Sequence, residues 1–249
     1  MPHGSGARRA GRERVDMRLY LLRLGTIPRL GAPVAAYLIR TDEGRTVLVD
    51  SGAPPGGLPG GAPAVEAGEG QDLVTALAGA GVRPEDVDTV VCSHFDPDHV
   101  GGHASFPAAE FVVQREHWDL ARSGTVPRLT ASRPLWDVPG LRYRTVEGDT
   151  ELLPGVELIA SGGHVPGHQS VLVRLERTGA VLLAVDAIPM SAALDPERRP
   201  VLPFDLDEKE LRGSTRRLVD LARAENALIV HGHDAEQWRT LRVAPAYYD

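Results

Sequence analysis

The sequence predicts one α/β domain, and three observations lead there. Runs of strand-like residues come first and a helix follows, and this order occurs in both halves of the chain. Several of the strand-like runs stop at a histidine or an aspartate, which gathers polar side chains at strand ends, where open α/β sheets place their sites. The residues after Met17 contain no linker that divides them, and 249 residues with 42% hydrophobic and 24% charged side chains supply a sizeable core.

Taken in order, residues 1–16 are rich in glycine and arginine and lack an apolar stretch. They predict a disordered leader rather than a secretory signal, with the domain running from 17 to 249. Arg18–Leu24 and Val34–Arg40 read as strands, and Asp42-Glu43-Gly44-Arg45 as the turn before a returning strand, Thr46–Asp50. Glycine and proline crowd residues 51–70, which predicts a surface loop. Leu73, Leu77 and Ala80 have helical spacing, so a helix is expected over Gln71–Gly79. Pro84-Glu85-Asp86 turns the chain into an apolar strand, Val87–Ser93. A further strand, Glu110–Gln114, and a short helix, Arg115–Ala121, follow. Pro127, Pro134 and Pro139 make residues 122–140 read as irregular, a lid or binding loop. Strands are expected at 141–146, 156–160, 170–176 and 181–185, an amphipathic helix over Leu206–Ala224, and a last strand, Ala227–Val230.

The bulk properties exclude several classes. A net charge of −7 disfavours a nucleic-acid surface. Apolar runs fall short of the roughly 20 residues of a membrane span. The single cysteine, Cys92, rules out an internal disulfide and suits the reducing cytoplasm; as a small residue in a strand it is expected to be buried. The expected partner is a small-molecule substrate, and nothing in the sequence sets an oligomeric state.

Residues 94–103 carry the chemistry: His-Phe-Asp-Pro-Asp-His-Val-Gly-Gly-His. His94, Asp96, Asp98 and His99 lie within six residues, just after a strand and just before a glycine turn. Imidazole with carboxylate is a donor set for zinc, iron or manganese, not for calcium. Three more candidates follow strands: His164, in Ser161-Gly162-Gly163-His164-Val165-Pro166-Gly167-His168; Asp186, after Val181–Val185; and His233.

This constellation, in this order, resembles the metallo-β-lactamase fold superfamily, whose main motif is His-x-His-x-Asp-His, followed by a Gly-His turn, a lone Asp after a strand and a late Gly-His. Within it the chain is most similar to the N-acyl homoserine lactonases, through Val47-Leu48-Val49-Asp50-Ser51-Gly52, Gly163-His164-Val165-Pro166-Gly167-His168-Gln169-Ser170 and Gly232-His233-Asp234-Ala235-Glu236-Gln237. The resemblance implies an αββα sandwich and a quorum-quenching lactonase with two divalent metal ions. One would be held by His94, Asp96 and His164, the other by Asp98, His99 and His233. Asp186 would bridge them with a hydroxide that attacks the carbonyl, and Asp98 would pass a proton to the leaving alkoxide. The alternatives are a hydrolase of another ester, a thioester or a phosphodiester, and a metal-poor accessory protein without catalysis.

Two departures bear on this. Asp96 stands where the family usually has histidine, which adds a negative charge and a hard oxygen donor. The expectation is a shift from zinc towards iron or manganese, or weak occupancy at that position. Pro189 stands where the lactonases carry a tyrosine, three residues after the bridging aspartate, and proline cannot donate that hydrogen bond. Of the remaining candidates, Asp50 and His168 are expected to support the ligands from behind, with His168 fixing the Pro166-Gly167 turn, and His231 to pack beside the site. His103 and His117 read as surface or capping residues. Trp118, Trp136 and Trp238 read as core, with Trp136 the best placed of them for a pocket wall.

Overall fold

A computed structural model of the chain describes residues 17–57 and 65–249. The expected leader, residues 1–16, lies outside the described residues, as do residues 58–64 of the glycine- and proline-rich loop.

The chain begins with an antiparallel hairpin, β1 (Met17–Ile27) and β2 (Ala32–Thr41), and β3 (Thr46–Val49) returns along β2. After α1 (Leu73–Gly79), β4 (Thr89–Val91) pairs parallel to β3. The motif segment contains a four-residue helix, α2 (Pro97–Val100). Next come β5 (Glu110–Gln114), α3 (Arg115–Ser123), α4 (Pro127–Trp136) and β6 (Arg142–Val146), with β4, β5 and β6 parallel. These six strands form one sheet, in sequence order. A second sheet is built from β7 (Thr150–Leu153), β8 (Val156–Ala160), β9 (Gln169–Leu175), β10 (Gly179–Val185) and β11 (Leu228–His231), with α5 (Glu208–Glu225) between the last two strands and α6 (Ala235–Trp238) after them.

The period-two alternation of the strands explains the layers. In β1, Leu19 and Leu21 face one way. With Tyr37, Val47 and Val49 of the same sheet, and Val156, Leu158, Val171 and Val173 of the opposite sheet, they fill the space between the two. The next residues along the strand, Tyr20, Leu22 and Leu24, face outward with Leu48, Val90 and Phe111, and α1, α3 and α4 cover them. On the outer face of the second sheet, Leu172, Leu182 and Ala184 pack beneath Leu218 and Ala222 of α5. Two sheets lie face to face with helices on both outer sides, which is the expected αββα sandwich. The central strands are buried on both faces and read as unbroken apolar runs, as parallel strands do.

The two longest helices have local causes. In α5, Leu211, Thr215, Leu218 and Ala222 form a buried stripe at helical spacing, the Asp207 side chain accepts from the Glu210 N–H, and Asn226 ends the helix in the left-handed conformation. The structure corrects the reading of residues 122–140, because α4 occupies their centre. Pro127 sits in its first turn, where the missing N–H has no partner to lose, and Pro134 falls near its end. The available signal is the spacing of Leu129, Ser132 and Trp136, all buried, which the proline content hides. The strand expected over Val87–Ser93 is regular only across Thr89–Val91. Sequence reading also misses β7, whose Thr-Glu-Leu-Leu sequence has little strand character.

The motif helix is held down by close backbone approach. The Gly101 N–H donates to the Gly52 carbonyl at 2.7 Å, and the Ser51 N–H to the His99 carbonyl at 2.8 Å. A Cβ on Gly101 would stand 2.1 Å from backbone atoms of Ala53 and Pro54. Gly101→Ala is therefore expected to destabilise the fold by about 1–3 kcal/mol, as overpacking does. Urea unfolding checks this, and an unchanged midpoint would contradict it.

Candidate metal centre

Four donors within six residues cannot converge from a strand, because successive side chains point to opposite faces. The chain solves this by changing conformation at Pro97. Asp96 is still extended (φ −66°, ψ 146°), and Pro97 opens α2, which turns Asp98 and His99 back towards His94 and Asp96. The other donors arrive from the second sheet. Val185 has φ +49°, unusual for a β-branched residue, and the register between β10 and β11 shifts just there. That kink delivers Asp186. Asp50, at the end of β3, also has a positive φ, +59°. His164 follows Gly163 (φ +123°), where a Cβ would meet the Leu211 backbone nitrogen at 2.2 Å. His233 follows β11, its backbone N–H donating to the Pro189 carbonyl at 2.8 Å.

The structure brings all seven predicted donors together. They form three overlapping groups: His94, Asp96 and His164; His94, His99 and Asp186; and Asp98, His99 and His233, the donor atoms of each lying within 4.8 Å of one another. Asp186 stands between the outer two. Its Oδ2 lies 3.8 Å from His94 Nε2 and 3.5 Å from His164 Nε2, and its Oδ1 lies 3.6 Å from His99 Nε2 and 3.1 Å from His233 Nε2. Asp96 Oδ2 is 3.5 Å from His94 Nε2, and Asp98 Oδ2 is 3.7 Å from His99 Nε2 and 3.8 Å from His233 Nε2.

In all four histidines Nδ1 is engaged, which turns Nε2 inward. His99 Nδ1 donates to Asp50 Oδ2 at 2.8 Å, His164 Nδ1 to Asp205 Oδ1 at 2.9 Å, and His233 Nδ1 to the Pro33 carbonyl at 2.8 Å. His94 Nδ1 donates to Ser93 Oγ at 2.9 Å, and that hydroxyl donates to Asp50 Oδ2 at 2.7 Å. Metal-binding imidazoles are oriented in this way. Sequence reading misses Asp205, which lies in a loop without periodicity, 41 residues beyond His164.

The cluster fits a divalent cation. His94 Nε2, His99 Nε2 and Asp186 Oδ1 are buried without a hydrogen-bond partner among the described residues, a costly arrangement for polar atoms. Ligands about 2.0–2.2 Å from a shared zinc ion lie at most about 4.4 Å apart, and the contacts above, from 3.1 to 3.8 Å, fall within that limit. The electrostatics agree. Burial opposes ionisation of Asp186, but His233 and His99 outweigh it and hold the carboxyl well below the usual range. Burial also opposes charging of His164, yet its bonds to Asp205 and Asp96 raise it to about 9. His94 is pushed down to about 3 by burial and by the neighbouring His99.

Arg128, in the first turn of α4, is a second residue that sequence reading misses. Its Nε lies 2.8 Å from Asp96 Oδ1 and 2.9 Å from Oδ2. The extra charge that Asp96 brings therefore has a counter-charge beside it.

Of the remaining histidines, His117 and His103 lie elsewhere than expected, and His168 and His231 lie where expected. His117 is buried, not at the surface: its Nε2 accepts from the Phe95 N–H at 2.8 Å and its Nδ1 donates to the Pro166 carbonyl at 3.0 Å, tying the motif segment to the His164 loop. Burial lowers it to about 4. His103 is buried too, with Nδ1 on the Tyr143 hydroxyl at 3.2 Å. Trp136 is core rather than pocket wall, stacked on Phe95 at 4.6 Å. His168 is buried 5.2 Å from the His94 ring, its Nδ1 on Ser161 Oγ at 2.9 Å and its backbone N–H closing the turn onto the Val165 carbonyl. His231 packs beside the centre, bonded to the Ile188 carbonyl.

Comparison with known proteins gives this geometry a family. Residues 30–233 match the model of the metallo-beta-lactamase superfamily. An N-acyl homoserine lactonase of Bacillus cereus is 33% identical, over 88% of each chain. One of Azorhizobium caulinodans is 32% identical, over 94% of this chain and 99% of that protein. The solved structure of an N-acyl homoserine lactone hydrolase, with N-hexanoyl-L-homoserine bound at its catalytic metal centre, superposes with a TM-score of 0.82 at 29% identity, covering 95% of this chain and 100% of that one. The chain belongs to the metallo-beta-lactamase superfamily and, within it, to the N-acyl homoserine lactonases, a family of metal-dependent hydrolases.

Proposed function

We propose that the protein opens the ring of N-acyl homoserine lactones, with divalent metal ions at the centre described above. One observation carries the reading: the two oxygens of Asp186 face two different histidine pairs, as a residue shared between two cations requires. In this reading His94, Asp96 and His164 would hold one ion, Asp98, His99 and His233 the other, and Asp186 would serve both. Divalent metals bound here would supply an activated water near neutral pH and a Lewis acid for the lactone carbonyl. The chain's residues do the rest. Asp50, Asp205, Ser93 and the Pro33 carbonyl keep each Nε2 lone pair aimed inward. Asp98, partly exposed at the rim, would accept the proton given up by the attacking water on a carboxylate oxygen and pass it to the leaving alkoxide. Zinc is one candidate metal; iron or manganese is the other, on the ground of the added oxygen donor of Asp96. Among the described residues no helix is long and apolar enough to cross a membrane. A cytoplasmic setting is part of the proposal, supported by a single, buried cysteine.

Hydrolysis of N-hexanoyl homoserine lactone, followed by chromatography, tests the reading. Activity is expected in the purified protein and is expected to vanish in Asp186→Ala and on chelation. Cleavage of a thioester or phosphodiester but no lactone would overturn the substrate, and no hydrolysis in the metal-loaded protein would favour an accessory role.

Asp205→Asn is expected to weaken metal retention about 10–100-fold, the usual cost of losing such a partner. Elemental analysis after dialysis against graded chelator measures it, and unaltered retention would contradict the role of Asp205.

The metal-free protein is expected to keep a proton on His164 below about pH 9. Metal uptake at pH 7 must expel that proton, so apparent affinity falls as pH drops from 9. Calorimetric titration in buffers of different ionisation enthalpy would report the release, and a buffer-independent enthalpy would refute it.

A further inference from the structure

Among the described residues, Arg128 is the cationic side chain that bonds directly to the donor set. Its Nε spans both oxygens of Asp96, and its Nη2 reaches the His164 carbonyl at 3.5 Å. The inner side of Asp96 remains turned to the centre, Oδ2 standing 3.1 Å from His164 Nε2 and 3.5 Å from His94 Nε2. The helix that carries Arg128 is pinned to the motif itself. Ser132 Oγ donates to the Phe95 carbonyl at 2.7 Å, and Trp136 stacks on Phe95 at 4.6 Å. Both members of the pair are thus fixed from one packed unit.

A carboxylate at position 96 adds a negative charge to a centre that already holds Asp98 and Asp186. The guanidinium returns the sum to that of a centre with a neutral imidazole at the same position. Its single Nε–H is shared between the two carboxylate oxygens, a charge-assisted contact. We propose that Asp96 and Arg128 act as one unit that replaces a histidine ligand: Asp96 supplies the donor atom, and Arg128 is a positioning residue that orients it and cancels its charge. The inference rests on the two-metal reading above. It predicts that the two positions are interdependent, because a histidine at 96 leaves the guanidinium unpaired and repelling the cation.

The test is a set of variants whose metal content is measured after dialysis against graded chelator, with circular dichroism to establish folding. Asp96→His alone is expected to weaken retention of one ion by about 10–100-fold, the range for losing a supporting partner. Asp96→His with Arg128→Gln is expected to regain both ions. Asp96→His with Arg128→Lys keeps the charge and is expected to stay weak. A purely structural role for Arg128 would not separate Gln from Lys. Full retention in Asp96→His, equal rescue by Gln and Lys, or no rescue by either would overturn the pairing. If the unaltered protein binds no divalent metal, the two-metal reading fails and the pairing falls with it; two ions in the unaltered protein without the Gln–Lys contrast sinks the pairing alone.

Discussion

Asp50 is the constraint on which the centre depends. Its carboxylate is buried at the end of β3 and accepts from the Ser93 N–H at 2.8 Å, from Ser93 Oγ at 2.7 Å and from His99 Nδ1 at 2.8 Å. A buried carboxylate is tolerated when its lone pairs are used in this way. The same three bonds orient His99 directly and His94 through the Ser93 hydroxyl. Two of the four histidines are therefore aligned by one residue, which the pairing of β3 with β4 holds in place.

The remaining donors depend on the second sheet, and the two halves meet only because the sheets pack face to face. Backbone strain lies where that convergence is tightest. Val185 takes a positive φ directly before Asp186, and Asp50 takes one at the end of its own strand. Strain of about 1–3 kcal/mol at such positions persists when the surrounding structure fixes it; here the buried strand β10 and its pairing with β9 and β11 provide the fixing.

Much of this is legible in the sequence. The apolar runs that lead into His94, Asp186 and His233 announce strands with donors at their ends, whereas the layers are expected only through the family resemblance, because strands apolar on both faces do not show which face is inner. The parts that stay hidden share a physical reason: they depend on contacts between segments far apart in the chain. Asp205 becomes a partner of His164 only after α5 and the loop before it dock on the second sheet. Arg128 pairs with Asp96 only because α4 forms, and the prolines mask the helical spacing of Leu129, Ser132 and Trp136. His117 reads as a surface residue because it sits in a short, polar helix, yet its ring links two donor-bearing loops. Counting charges within the motif leaves out the arginine that faces Asp96, because it lies 32 residues away.

In the proposed function an oriented set of imidazoles and carboxylates holds divalent metal, with Asp96 as a working ligand. Anomalous X-ray scattering from crystals of the metal-loaded protein tests it most directly. Two anomalous peaks are expected within the cluster, one against His94, Asp96 and His164 and one against Asp98, His99 and His233, with Asp186 between them. A single peak, or Asp96 turned away from the ion, would contradict it.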